Sequence, residues 1–131
     1  MDAAIRAHGR DVFPRECCGA LLGRDGQVRE ALEAWKVPSA AADGVRRFLV
    51  EPDDYRAVEQ RALAAGLDLL GFYHSHPDHP ARPSQYDLDH AWPTMSYVIV
   101  SVIDGKDQAL TSWRLRADRS AFDEERVTYG D

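Results

Sequence analysis

The sequence predicts an α+β or mixed-sheet domain. Helical patterns are separated by groups of short apolar runs, and several of these runs are joined by Gly-containing turns, "RDGQ" and "DGKD", of the kind that close β-hairpins. With 131 residues, 44% of them apolar and 29% charged, there is material for one globular core. Residues 1–131 are therefore expected to form a single domain, and no internal repeat or low-complexity tract divides them.

Ala4-Ile5 and Val12-Phe13 lie two helical turns apart, which predicts a short first helix ending ahead of Pro14, with Gly9 as a weak point in its middle. "ECCGALLG" then predicts a strand, linked through Asp25-Gly26 to an antiparallel partner in "VREALEAWKV". "PSAAADGV" has the small, Pro and Gly content of a surface loop, and "RFLVEP" reads as a strand. A helix is expected over "PDDYRAVEQRALAAG", because Pro and two acids open it, Gly66 closes it, and Tyr55, Val58, Ala62 and Ala65 share a face. "LDLLGFYHSH" is too short an apolar run for a helix and suits a buried strand. "SQYDLDHAW" predicts a short helix with Ser84 near its start. "SYVIVSVI" and "QALTSWRLR" predict two further strands, the second with Leu110, Ser112 and Arg114 on one side and Thr111, Trp113 and Leu115 on the other. The charged, weakly patterned tail predicts no element.

A net charge of −6 argues against a nucleic-acid partner, since phosphate binding needs clustered Lys and Arg and Arg46-Arg47 is the only strictly adjacent basic pair. No apolar run approaches the roughly 20 residues of a membrane span, and "MDAAIRAHGRDVFP" lacks the apolar core of a secretory signal. Cytoplasmic residence is the expectation, with no membrane partner. The two cysteines, Cys17 and Cys18, are adjacent and badly placed for an unstrained disulfide, so they are expected to be reduced, packed thiols.

The chemistry concentrates in "HSHPDHPARPSQYD", residues 74–87, which hold three of the five histidines and three of the seven prolines. Side chains two apart in a strand point to the same face, so His74 and His76 can aim both imidazoles at one point while Ser75 points away. Pro77, Pro80 and Pro83 stiffen the connection that follows. Asp87 falls in the first turn of the next helix, where the dipole favours a carboxylate. Two neutral imidazoles and a carboxylate, with the fourth corner left to water, are the donor set of a catalytic zinc site. Ser84 and Asp87 also match a helix capping box. Rival ligands are Asp78, His79 and above all His90, which lies on the same helical face as Asp87.

His74-x-His76, seven residues, then Ser84-x-x-Asp87 resembles the signature of the JAMM (MPN+) zinc metallopeptidases, and "PRECCGALLG" resembles the segment that carries that family's catalytic glutamate. With "GFYHSHPDHPARPS" and "SYVIVSV", the resemblance runs from Pro14 to about Arg116. It implies a twisted mixed β-sheet flanked by helices, with a cytidine-deaminase-like layering and Gly71-Phe72-Tyr73 as the buried strand beneath the metal. It also implies one zinc ion per chain with a catalytic water, held by His74, His76 and Asp87. Glu16 would be the general base, and Ser84 would support the oxyanion. The resemblance alone singles out Glu16 among the acids.

The short chain lacks room for the insertions of eukaryotic deubiquitinating members, so it is similar to the stand-alone bacterial branch. That branch implies hydrolysis of a peptide or isopeptide bond at the C-terminal Gly-Gly tail of a small ubiquitin-like sulfur-carrier protein, for example releasing cysteine, by a monomer or homodimer. The tail could lie along an exposed strand edge. Two other readings compete: a non-catalytic MPN-type interaction module, and a thiol hydrolase using Cys17 or Cys18 as nucleophile.

Overall fold

The sequence order of helix, hairpin, helix, strand, short helix and closing strands is realised in a computed structural model that describes residues 2–37 and 51–128. The elements are α1 (Asp2–Val12), β1 (Cys18–Arg24), β2 (Glu30–Lys36), α2 (Pro52–Ala65), β3 (Asp68–Pro77), α3 (Gln85–His90), β4 (Ser96–Ile103), β5 (Lys106–Leu115) and β6 (Phe122–Glu125). The strands form one six-stranded sheet in the order β2-β1-β3-β4-β5-β6. β3 and β4 run parallel and every other neighbouring pair antiparallel, so the sheet is mixed. The parallel pair is joined by a crossover containing α3, as parallel neighbours require.

The two faces of the sheet bury different cores. On one, Leu21 of β1, Leu70 and Tyr73 of β3, and Val98, Val100 and Val102 of β4 pack with Ile5 of α1. On the other, Cys18, Ala20, Leu22, Phe72, Tyr97 and Leu115 pack with Val58 and Ala62 of α2 and Leu88 next to them on α3. β3 and β4 lie in the middle of the sheet and are buried along nearly their whole length, which is why both appear in sequence as near-continuous apolar runs.

Gly9 turns out to be the reason α1 lies so close to the sheet. A Cβ there would meet Val102 Cγ2 at 3.1 Å and Val100 Cγ1 at 3.3 Å. The weak helix former is a fit to a close approach, and beside it Arg6 and Arg10 both reach Asp107 of β5, at 3.0 and 2.5 Å. α2 begins on Pro52 and ends on Gly66, whose left-handed backbone (φ 70°) lets its own N–H and that of Leu67 reach back to Leu63 and Ala62 carbonyls. Of its expected apolar face, Val58 and Ala62 are buried, whereas Ala65 is exposed in the last turn.

The expected hairpin, the buried strand and the β4–β5 pair all form. β6 was not expected. It is a four-residue edge strand, paired with Ser112–Leu115 of β5; Asp123 and Glu124 are exposed while Phe122 and Glu125 are half-buried, so it carries no alternation strong enough to read. Glu125 anchors it by accepting hydrogen bonds from Ser112 Oγ at 2.7 Å and Ser96 Oγ at 3.3 Å. The expected loop at "PSAAADGV" and most of the expected strand at "RFLVEP" lie outside the described residues; Pro52, its last residue, instead opens α2. No helix among the described residues is long and apolar enough to cross a membrane.

Gly71 sits where β3 meets the first residue of β4, and a Cβ there would run into the Ser96 backbone carbonyl. Backbone cannot yield as a side chain can. Gly71→Ala is expected to cost about 1–3 kcal/mol, measured as a lower urea midpoint with an unchanged slope.

Candidate metal centre

β3 continues as regular strand to Pro77, and this sets the first two functional side chains. His74 lies opposite Cys18 on one side and Ile99 on the other, and His76 lies beside Ser101. They share the face of Phe72, at the C-terminal end of the parallel pair. His74 is fully buried and His76 nearly so, at 9% exposure. The chain then turns through Asp78, whose backbone is left-handed (φ 57°), and the proline-stiffened segment brings α3 back over the strand end. Asp87, in the first turn of α3, is buried against the two imidazoles.

The three ligating atoms lie at nearly equal separations. Nε2 of His74 is 3.1 Å from Nε2 of His76, and Oδ2 of Asp87 is 3.3 Å from the first and 3.2 Å from the second. A tetrahedral ion with bonds near 2.0 Å has ligand atoms about 3.3 Å apart. Among the described residues, this is the set of three or more His, Cys, Asp or Glu side chains close enough to share an ion.

The hydrogen-bond chemistry points the same way. Nδ1 of His76 faces the Pro80 carbonyl at 2.9 Å, and a carbonyl only accepts, so Nδ1 carries the proton. In the neutral ring Nε2 then presents a lone pair, and it presents it to a carboxylate oxygen and a second imidazole nitrogen. The convergence is satisfied either by a proton on His74 Nε2 or by a metal ion at the centre. Burial disfavours charge on His74 and lowers its pKa despite Asp87. Burial also works against a charged His76, but Asp87, the Pro80 carbonyl and the charge of Glu16 outweigh it and raise the pKa. Asp87 is likewise penalised by burial, yet the imidazoles and the Ser84 amide hold its carboxyl far below the usual range. The donor set therefore fits a divalent ion of borderline softness such as zinc.

Ser84 and Asp87 do form the capping box. Ser84 Oγ accepts the Asp87 N–H at 3.0 Å, and Asp87 Oδ2 accepts the Ser84 N–H at 2.8 Å. The oxygen that caps the helix is the same one that faces both histidines, so the cap itself sets the carboxylate among the three atoms that could hold an ion. Glu16 lies buried just ahead of β1, and its charge acts on His76. Ser75 points to the opposite face, as expected, where its Oγ accepts the Cys17 N–H at 2.8 Å and so ties the segment next to Glu16 onto β3. Alternation in the strand could place Ser75 but could not name that partner.

The rival ligands are elsewhere. His79 and His90 are exposed, and His90 stacks on Tyr86 with Nδ1 donating to the Tyr86 carbonyl at 2.9 Å. Asp78 accepts the Asp104 N–H at 2.8 Å. Cys17 and Cys18 are free and buried. Burial pushes the Cys17 thiol up to about 11 and Cys18 higher still, which leaves negligible thiolate at neutral pH and removes the footing of a thiol-hydrolase reading.

Residues 1–116 match the family model of prokaryotic homologs of the JAB domain. Curated relatives include the desampylase of Haloferax volcanii, 36% identical over 75% of this chain and 73% of that protein. The CysO-cysteine peptidase of Mycobacterium tuberculosis is 31% identical over 86% of this chain and 76% of its own. A probable TtuB-protein conjugate cleaving protease of Thermus thermophilus is 33% identical over 72% of this chain, which spans 61% of that protein. Among solved structures, a protein from Salinibacter ruber is 44% identical with a TM-score of 0.73, covering 98% of this chain and 87% of its own. A JAB1/MPN domain protein from Archaeoglobus fulgidus shares the fold at 18% identity and a TM-score of 0.58, covering 96% and 87% of the two chains.

Asp87→Asn is expected to weaken divalent-ion binding by more than about 100-fold, beyond what loss of an outer hydrogen-bond partner costs. His79→Ala and His90→Ala should leave it unchanged. Because each imidazole must be neutral to bind an ion, affinity should fall as the pH is lowered through the imidazole range. Competition against a chromophoric chelator over a pH series measures all three.

Proposed function

The chain belongs to the prokaryotic homologs of the JAB domain, and from that membership we propose that it is a zinc metallopeptidase whose substrate is a small ubiquitin-like sulfur-carrier protein. The observation that carries this reading is the convergence of His74 Nε2, His76 Nε2 and Asp87 Oδ2 within 3.1 to 3.3 Å of one another. His74, His76 and Asp87 would hold the ion. Zinc bound there supplies Lewis acidity toward water and toward the scissile carbonyl.

The rest of the reaction falls to the chain's own side chains. Glu16, buried and close enough for its charge to act on His76, takes the proton of the attacking water and delivers it to the departing amine. Ser84 is exposed, and its Oγ accepts in the helix cap, which leaves the hydroxyl proton to be donated to the developing oxyanion. His76 is held in one tautomer by the Pro80 carbonyl, so its coordinating nitrogen needs no rearrangement when substrate arrives. The bond broken is a peptide or isopeptide bond to the carboxyl end of a Gly-Gly tail, whose lack of side chains suits a narrow approach to a recessed site.

The relatives' names support this substrate class: one is a probable TtuB-protein conjugate cleaving protease and one a CysO-cysteine peptidase. An amine such as cysteine is the proposed leaving group. A net charge of −6 accords with a protein partner rather than nucleic acid, and two free, buried thiols accord with a reducing, cytoplasmic setting.

Incubation of the protein with a carrier–cysteine adduct, followed by mass spectrometry, should show loss of the cysteine, and a chelator should abolish it. An adduct left intact by the zinc-loaded protein would overturn the substrate assignment. Glu16→Gln should retain near-stoichiometric zinc while kcat falls by about 10²–10⁴; turnover at the wild-type rate would refute its role as base. Ser84→Ala should lower kcat by about 10² through the oxyanion, and also lower the melting temperature through the lost cap, worth about 1 kcal/mol.

A further inference from the structure

We propose that Ser101 of β4 and Thr111 of β5 are positioning residues for the metal ligand His76, acting through the backbone of the proline-rich loop; this rests on the metal assignment above. Three consecutive carbonyls of that loop each meet a different side chain. The His79 carbonyl accepts the Ser101 hydroxyl at 2.6 Å, the Pro80 carbonyl accepts His76 Nδ1–H at 2.9 Å, and the Ala81 carbonyl accepts the Thr111 hydroxyl at 2.7 Å. The middle carbonyl is the one that sets the tautomer of His76. Those on either side are pinned by two hydroxyls from the sheet.

The geometry of the sheet explains why these two residues can do it. Ser101 is the register partner of His76 across the parallel ladder, and Thr111 is the partner of Ile99, itself the partner of His74. The ligands and both hydroxyls therefore stand on one face of three adjacent strands. Peptide groups are planar and rigid, so fixing the His79 and Ala81 carbonyls leaves the Pro80 carbonyl little freedom to turn from His76. Thr111 is itself directed: its Oγ1 accepts the indole N–H of Trp113 at 2.8 Å, which leaves its single proton for Ala81. The Pro80 carbonyl also accepts the Arg82 N–H at 2.9 Å, a bond internal to the loop, so it is the two hydroxyls that tie this part of the loop to the sheet and fix the direction of the carbonyl that faces His76.

The consequence is specific. Without the brace, the Pro80 carbonyl can swing away and His76 can take the other tautomer, with a proton on Nε2 where the ion must bind. Thr111→Val keeps shape and removes the hydroxyl; Ser101→Ala removes the other; Thr111→Ser keeps the hydroxyl and loses only a methyl group. On the full chain, chelator competition should show zinc affinity reduced about tenfold in Thr111→Val and in Ser101→Ala, and restored in Thr111→Ser. In metal-free protein, the imidazole 15N shifts of His76 should move from the Nδ1–H tautomer toward a mixture in the first two variants only.

Wild-type zinc affinity and unshifted 15N signals in Thr111→Val and Ser101→Ala would overturn the brace. So would a loss of zinc affinity that follows a fall in melting temperature and is not restored by Thr111→Ser. Should Thr111→Val not fold, Ser101→Ala decides alone. A wild-type chain that binds no zinc would sink the metallopeptidase reading instead, and the metal-free 15N signals would still decide the brace.

Discussion

Three electron-pair donors aimed at one point repel each other unless a cation lies between them, and much of the chain is arranged to hold them there. Nε2 of His74, Nε2 of His76 and Oδ2 of Asp87 are buried together at the end of a central strand. Each would be better solvated in water, so gathering them in the interior costs free energy. The cluster persists because no member can leave on its own. The histidines are locked by alternation in a strand paired on both sides, and Asp87 is locked by the cap it makes for α3. What the fold spends on holding these acceptors together is recovered when an ion binds, so binding should raise stability as well as enable chemistry.

The two faces of the sheet divide the labour. The α1 side is mechanical: Gly9 lets the helix descend onto Val100 and Val102, and Ser75 clamps the backbone next to Glu16. The other side carries α2, α3 and the ligands. The site falls at the carboxyl ends of β3 and β4, where the crossover carrying α3 leaves β3 and the turn to β5 leaves β4. Strand ends there leave a crevice that two loops must cover, which is the general reason α/β sheets bind ligands at such points. Glu16, buried just ahead of β1, is near enough for its charge to act on His76.

How much of this could be read from residues alone follows from how local each cause is. The strand carrying His74 and His76 was legible because it is a continuous apolar run ended by proline, and the spacing of two is a property of any strand. α2 was legible because its start and stop signals are local. β6 was not, since its pairing depends on Glu125 finding Ser96 and Ser112, hydroxyls far away in sequence. Glu16 could be chosen only by family likeness: nothing in "PRECCGALLG" marks that acid as buried, because its burial comes from elements elsewhere in the chain. The same holds for the Pro80 carbonyl. Backbone oxygens carry no residue type, and their partners appear only once the chain has folded.

The residues that looked ambiguous in sequence are the ones where two roles coincide. Ser84 and Asp87 match a capping box and also the end of a metal motif, and the structure makes these a single arrangement, because Oδ2 of Asp87 accepts the Ser84 N–H and faces both imidazoles. A helix of six residues is far below the length that holds its own turn in water. α3 must therefore be fixed from outside, by its cap, by Leu88 and Trp92 against the core, and by the charge cluster that its carboxylate enters. Carboxylate and helix are interdependent: the helix turn sets the carboxylate rotamer, and the imidazoles that face it keep that carboxylate, and with it the turn, in place. The site is stiff because the same few atoms serve local structure and chemistry at once.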